Sequence, residues 1–167
     1  MISLHLGGFE AGSVLRNGRD FFAVFRKQRN RKLNDLMSKW RTEGGMTPIP
    51  LRDNKMLENI LKSRSMIGLA SDHYADDIEV EYFGRKTKAV SGPVLLALKH
   101  KVPLVLAYGV FEKDKIKVEV VKAIEIEKQA NLKETIRYNM QKIYHEFEII
   151  IKKYPEQYMW QHRRWRD

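Results

Sequence analysis

Near the C-terminus, Leu132, Ile136, Met140, Ile143, Phe147, Ile150 and Tyr154 recur at intervals of three or four residues, and Pro155 follows the last of them. This is the period of one face of an α-helix, sustained for about six turns. A helix with so long an apolar face must lie against an apolar layer of similar length, or that face stays in water. Compact apolar runs of strand length supply such a layer at residues 21–25, 66–70 and 102–108. A shorter run, residues 2–6, is broken by His5 and stops at Gly7-Gly8. Strands buried on both faces read as continuous runs of this kind.

The intervening segments have helical spacing. Leu33, Leu36, Met37 and Trp40 mark one face over residues 32–43, which end at Gly44-Gly45. Met56, Leu57, Ile60 and Leu61 mark another, and residues 90–99 carry Pro93 in a first turn. Residues 10–15 open a short helix after the Gly-Gly turn. Residues 46–51, with Pro48 and Pro50, read as an extended connection or edge strand. Residues 79–83 are extended and turn at 84–86, and residues 115–122 alternate with Ile116, Val118 and Val120 on one face. Strands alternating with helices predict an α/β fold, a largely parallel sheet flanked by helices. With 167 residues and no repeat, low-complexity stretch or linker, residues 1–167 read as a single domain.

Composition narrows the chemistry. There is no cysteine, which excludes disulfides, thiolate metal sites and a cysteine nucleophile. No apolar run approaches the roughly 20 residues needed to span a bilayer. The net charge is +10, and it is concentrated: residues 16–41 carry +7, residues 152–167 carry +3, and the rest balances. Such a field favours an anionic partner such as nucleic acid, anionic lipid, a phosphosugar or an acidic protein.

Four segments offer functional groups. His5 and Glu10 flank Gly7-Gly8 at a strand-to-helix turn, where an imidazole can face a cleft and a carboxylate can hold one of its nitrogens; a surface histidine beside a glutamate favoured by the helix dipole fits the same residues. Gly7 and Gly8 would bring backbone N–H groups close to a substrate. Arg41 ends the basic helix, and Asp72 stands at a strand end in Ala-Ser-Asp-His. His73 adjoins Asp72, but no further histidine or glutamate lies at metal-ligand spacing, so no metal is expected. In the last segment, Tyr158, Trp160 and Trp165 interleave with Arg163, Arg164 and Arg166, a composition suited to stacking on bases, to a lipid interface or to packing on the domain. Walker-A, G-x-S-x-G and G-x-G-x-x-G motifs are all absent.

Taken in order, these segments resemble the lipid A biosynthesis (lauroyl/myristoyl) acyltransferases of the lysophospholipid acyltransferase superfamily. His5-Leu-Gly-Gly-Phe-Glu10 is similar to the family's His-x4-Asp/Glu motif in its glutamate form. Phe25-Arg26, Asn30 and Arg41 resemble its tyrosine-arginine stretch and later arginine. Ala70-Ser-Asp72-His73 resembles its aspartate motif, Tyr82-Phe-Gly84 its phenylalanine-glycine segment, and Pro155-Glu-Gln-Tyr-Met-Trp160 with His162-Arg-Arg-Trp165 its C-terminal signature. Arg26-Lys27 and Asn30-Arg31 depart from the family's Arg-Pro and Asn-Pro, and Asp72-His73-Tyr74 from its Asp-Gln or Asp-His-Asp.

The resemblance implies a glycerolipid-acyltransferase-like fold that lacks the N-terminal portion and membrane helix of relatives. It implies O-acyl transfer from acyl carrier protein, whose phosphopantetheine thioester is a co-substrate rather than a bound cofactor, to a hydroxyl of a lipid A precursor. His5 and Glu10 are then the catalytic dyad, with Arg26, Arg41, Asp72, Gly7 and Gly8 binding substrate or supporting the site. Expected partners are acidic acyl carrier protein, an anionic glycolipid acceptor and the inner-membrane surface, with the chain peripheral on the cytoplasmic face of the bacterial inner membrane. Two other readings are a glycerophospholipid acyltransferase, which usually has the aspartate dyad, and a basic nucleic-acid-binding module, to which the motif series lends nothing.

Overall fold

A computed structural model describes residues 1–51, 53–63 and 65–166. Six strands form one sheet: β1 (Ile2–Ser3), β2 (Phe21–Phe25), β3 (Thr47–Pro50), β4 (Met66–Ala70), β7 (Leu104–Glu112) and β8 (Lys115–Ile124). Their order is β3-β2-β4-β1-β7-β8. All neighbours run parallel except β7 and β8, which form an antiparallel hairpin at one edge. The remaining strands, β5 (Ile78–Tyr82) and β6 (Arg85–Ala89), pair as a separate antiparallel hairpin. The expected α/β architecture with a largely parallel sheet is present.

Helices α1 (Arg31–Glu43), α2 (Asn54–Lys62), α3 (Gly92–His100) and α4 (Leu132–Lys153) connect or cover the strands, and a 3-10 helix spans Phe9–Arg16. Asn30, Asp53 and Asn131 cap α1, α2 and α4 by accepting backbone N–H groups of the first turn. The apolar stripe of α4 lies where its spacing requires: Ile136, Met140, Ile143, Phe147 and Ile150 join Ile2, Leu4, Leu6, Leu106 and Val110 in the main core. Gln141 bonds both the N–H and the carbonyl of Glu81 at 2.7 and 2.9 Å, tying α4 to β5.

Period-two alternation divides β2 and β4 between two layers. Phe21 and Ala23 pack with Met46 and Met1 on one side, whereas Phe22 and Val24 join Ile49, Leu57, Ile60 and Ile67 on the other. β6 is an addition to the sequence reading, in which residues 84–86 only turn the chain. The strand forms because Thr87 and Ala89 point into the core while Lys86 and Lys88, which alternate with them, face outward. The expected placement on the inner-membrane face is withdrawn, because among the described residues no helix is long and apolar enough to cross a membrane.

Candidate active site

In the parallel pair β1–β4, Ile2 faces Leu69 and Ser3 faces Ala70. The same register carried two residues further sets His5 opposite Asp72, at the carboxyl ends of both strands, where open sheets of this kind place ligand-binding groups. Asp72 Oδ1 accepts the His5 backbone N–H at 3.0 Å and lies 2.7 Å from His5 Nδ1. An ionised carboxylate only accepts, so Nδ1 carries the proton and Nε2 keeps its lone pair. Asp72 is 0% exposed. Burial alone would raise its carboxyl, but the hydrogen bond and charge of His5 outweigh burial and hold it below the ordinary value.

The His5 ring is sandwiched. His73 lies flat against it with centroids 3.6 Å apart and planes 8° apart, and Phe9 tilts against it at 4.9 Å. His162 extends the stack beyond His73 at 3.7 Å and 2°. Burial and then the charge of His5 push the His73 imidazole down to about 4, and burial also lowers His162. Both rings are therefore neutral near pH 7, and a proton on His5 meets no cationic neighbour in the stack.

The C-terminal segment is held against this site. Met159 N–H donates to the His5 carbonyl at 3.1 Å, and Gly7 N–H donates to the Gln157 carbonyl at 2.9 Å. Arg164 is buried, donating to Thr87 Oγ1 and the Lys88 carbonyl at 2.8 and 2.7 Å and lying over the Tyr82 and Tyr144 rings. Trp165 donates to the Tyr82 carbonyl at 3.3 Å and stacks on its ring. Arg164, Trp165 and Tyr158, which is buried with its hydroxyl bonded to that of Tyr82, are thus packed on the domain, whereas Trp160 is half exposed.

Two expectations are corrected. Glu10 does not bond the His5 ring; it takes a forked pair of hydrogen bonds from Arg41, Nη2 to Oε1 at 2.6 Å and Nε to Oε2 at 3.3 Å. Arg41, with only 10% of its side chain exposed, also lies 3.6 Å over the Phe25 ring. The carboxylate on His5 is Asp72, because strand register fixes that contact whereas Glu10 leaves on a 3-10 helix directed at α1. The second correction concerns the glycines. The Gly7 N–H is spent on Gln157 and cannot serve an oxyanion. Gly7 has φ +44°, and a Cβ there would sit 3.1 Å from Val110 Cα; a Cβ on Gly109 would sit 2.5 Å from the Gly8 carbonyl oxygen. The Gly-Gly turn exists so that the backbone can approach β7.

Arg26 is exposed just past the carboxyl end of β2, beginning an exposed basic stretch that continues into α1. His5 opens on two recesses. One, about 390 Å³, is lined by Gly7, Phe9, Phe111, Gln157 and Met159. The other, about 70 Å³, is largely apolar and runs past Glu10 between Phe25, Phe21, Gly68 and Met1. A larger cleft, about 950 Å³, lies at the amino ends of the strands, beside Asp20, Met66 and Leu104, and is not lined by His5. His73, His162 and Tyr158 joined the site without having been singled out for it. His73 adjoins Asp72 in the aspartate motif, and Tyr158 and His162 lie in the C-terminal signature, but neither motif named a contact with His5. No curated protein matches the chain. The family model described as bacterial lipid A biosynthesis acyltransferase matches residues 1–167.

Proposed function

Because the chain belongs to the bacterial lipid A biosynthesis acyltransferase family, we propose that it transfers a fatty acyl group from the thioester of acyl carrier protein to a hydroxyl of a lipid A precursor, with His5 as general base. The observation that carries this reading is the His5 Nδ1 contact with the buried Asp72 at 2.7 Å. It leaves Nε2 as the proton acceptor of a residue that lines both recesses. Nε2 takes the hydroxyl proton as the oxygen attacks the thioester carbon. The tetrahedral intermediate collapses with cleavage of the C–S bond, and the imidazolium returns the proton to the departing thiolate. Asp72 holds the ring and stabilises the imidazolium, the role a buried carboxylate has behind other catalytic histidines.

Glu10 and Arg41 act as one unit at the wall of the small recess. Their forked pair fixes the guanidinium over Phe25, which lines this recess as Glu10 does, and so sets a cation behind its wall. The likeness to the wider lysophospholipid acyltransferase superfamily belongs to the same proposal. It rests on the His5-to-Glu10 spacing and the motif order.

The carrier protein docks on α1. None of its residues is buried, its apolar stripe of Leu33, Leu36 and Trp40 is exposed, and exposed Arg26, Lys27, Arg29, Arg31, Lys32 and Lys39 surround that stripe. An acidic partner complements this field and would cover the stripe. The test of the reaction is transfer of a labelled acyl group from acyl carrier protein to a lipid A precursor. His5→Ala is expected to lower turnover by about 10²–10⁴. Turnover within a few-fold of the parent chain would refute the assignment.

A further inference from the structure

We propose that His5, Asp72 and His73 form a binding site for a divalent transition metal of the zinc class, and that the ion acts as an inhibitor by occupying the base. The inhibitory half rests on the acyl-transfer reading; the binding half does not. One ligand atom from each of the three residues lies within 4.8 Å of the other two. Two imidazoles and a carboxylate are a donor set suited to zinc, cobalt or nickel and unsuited to magnesium or calcium, which require oxygen ligands.

Two further observations point to a ligand. Among the described residues, Asp72 Oδ2 and His73 Nε2 are both buried with no hydrogen-bond partner of ordinary length, the Tyr158 hydroxyl being a donor that faces the Asp72 carboxylate. A buried carboxylate oxygen normally has a partner, so both atoms are poised to accept one. The carboxylate is also pre-oriented, since its other oxygen is fixed by the His5 backbone N–H. On the far side of His73, the stacked His162 ring limits how far His73 can swing away.

Binding requires a defined movement. Ligands of a tetrahedral zinc with bonds of about 2.0–2.1 Å stand roughly 3.4 Å apart, so a pair near the 4.8 Å limit closes by about an ångström, while His5 Nδ1 and Asp72 Oδ1, now 2.7 Å apart, give up their hydrogen bond to make room for the ion. The His5 and His73 rings, now parallel, turn about their Cβ–Cγ bonds so that both lone pairs meet the ion. The fourth position falls to water. Arg164, whose charge reaches His73, opposes the ion and restrains its affinity. Once the ion holds His5, the imidazole has no lone pair to accept the hydroxyl proton.

The test uses the untagged 167-residue chain. Zn²⁺ titration by calorimetry is expected to give one saturable site, and Co²⁺ to develop visible bands of tetrahedral intensity that Zn²⁺ abolishes and Mg²⁺ does not. His73→Phe keeps the ring stack but has no nitrogen, and is expected to weaken binding at least about tenfold. His145→Ala, an exposed site on α4, is expected to leave binding unchanged. If His73→Phe does not fold, histidine ring resonances of the parent chain decide: Zn²⁺ shifts those of His5 and His73 and leaves that of His145. No saturable site, or an unaltered one in His73→Phe, overturns the proposal. Binding at these residues without loss of acyl transfer would instead refute His5 as the base, so the two failures are distinct.

Discussion

Replacing Asp72 by Asn tests the site most directly, because it keeps the shape of the buried group and removes its charge. In the parent chain, Oδ1 accepts from both His5 N and Nδ1. Hydrogen bonds to a charged acceptor contribute about 1.5–3 kcal/mol and neutral ones about 0.5–1.5 kcal/mol, so losing charge assistance in both costs about 2–3 kcal/mol. Removing an anion that is fully out of water returns part of that. The expected net destabilisation is therefore only about 1–2 kcal/mol, and the variant folds. Turnover falls much further, by about 10²–10⁴, because an amide cannot stabilise the imidazolium.

The pH dependence has a definite sign. The carboxyl of Asp72 is held below its ordinary value, so its contribution to stability is present above that value and is lost as pH falls below about 4. Asp72→Asn is expected to lack this acid step. Urea unfolding between neutral and acid pH measures the stability arm, a labelled-acyl transfer assay the rate arm, and ring ¹⁵N shifts the position of the His5 proton. An Asn variant with turnover within tenfold of the parent, and with Nδ1 still protonated, would refute Asp72 as the group that holds the base.

Glu10→Ala and Arg41→Ala are expected to lower turnover by similar factors, and the double variant to lose little more, since the two side chains share one forked contact; additive losses in a double-mutant cycle would show that they act separately. Charge reversal at Arg26, Arg29 and Arg31 is expected to raise KM for acyl carrier protein and flatten its salt dependence while leaving Tm nearly unchanged, because all three are exposed. An unaltered KM and salt slope would place the carrier elsewhere. Gly7→Ala forces a Cβ to within 2.5 Å of Gln157 Oε1 at a positive φ, and a left-handed non-glycine residue costs about 1–2 kcal/mol before that clash is counted. A loss below 0.5 kcal/mol (about the scatter of a neutral surface change) by urea unfolding would mean that the turn relaxes freely.

Much of the fold could be read from local patterns. The stripe from Ile136 to Ile150 specified a sheet-covering helix, and the apolar runs at 21–25 and 66–70 are β2 and β4 to the residue. Helical and strand periods are properties of the backbone over a few residues, so they survive in the sequence without knowledge of any neighbour. The strand-end positions of His5 and Asp72 were legible for the same reason. Their contact was not, because it depends on the register of two strands separated by 67 residues, Ser3 against Ala70.

Glu10 shows the converse. Five residues from His5, it lay close enough in sequence to be taken as its partner, yet the 3-10 helix carries it to Arg41, 31 residues away. The stack of His5, His73 and His162 depends on a C-terminal segment returning to bond His5 and Gly7 through the backbone. Chemical identity and local geometry are written along the chain. Which carboxylate meets which imidazole is decided where separate segments end side by side, and only the tertiary structure brings those ends together.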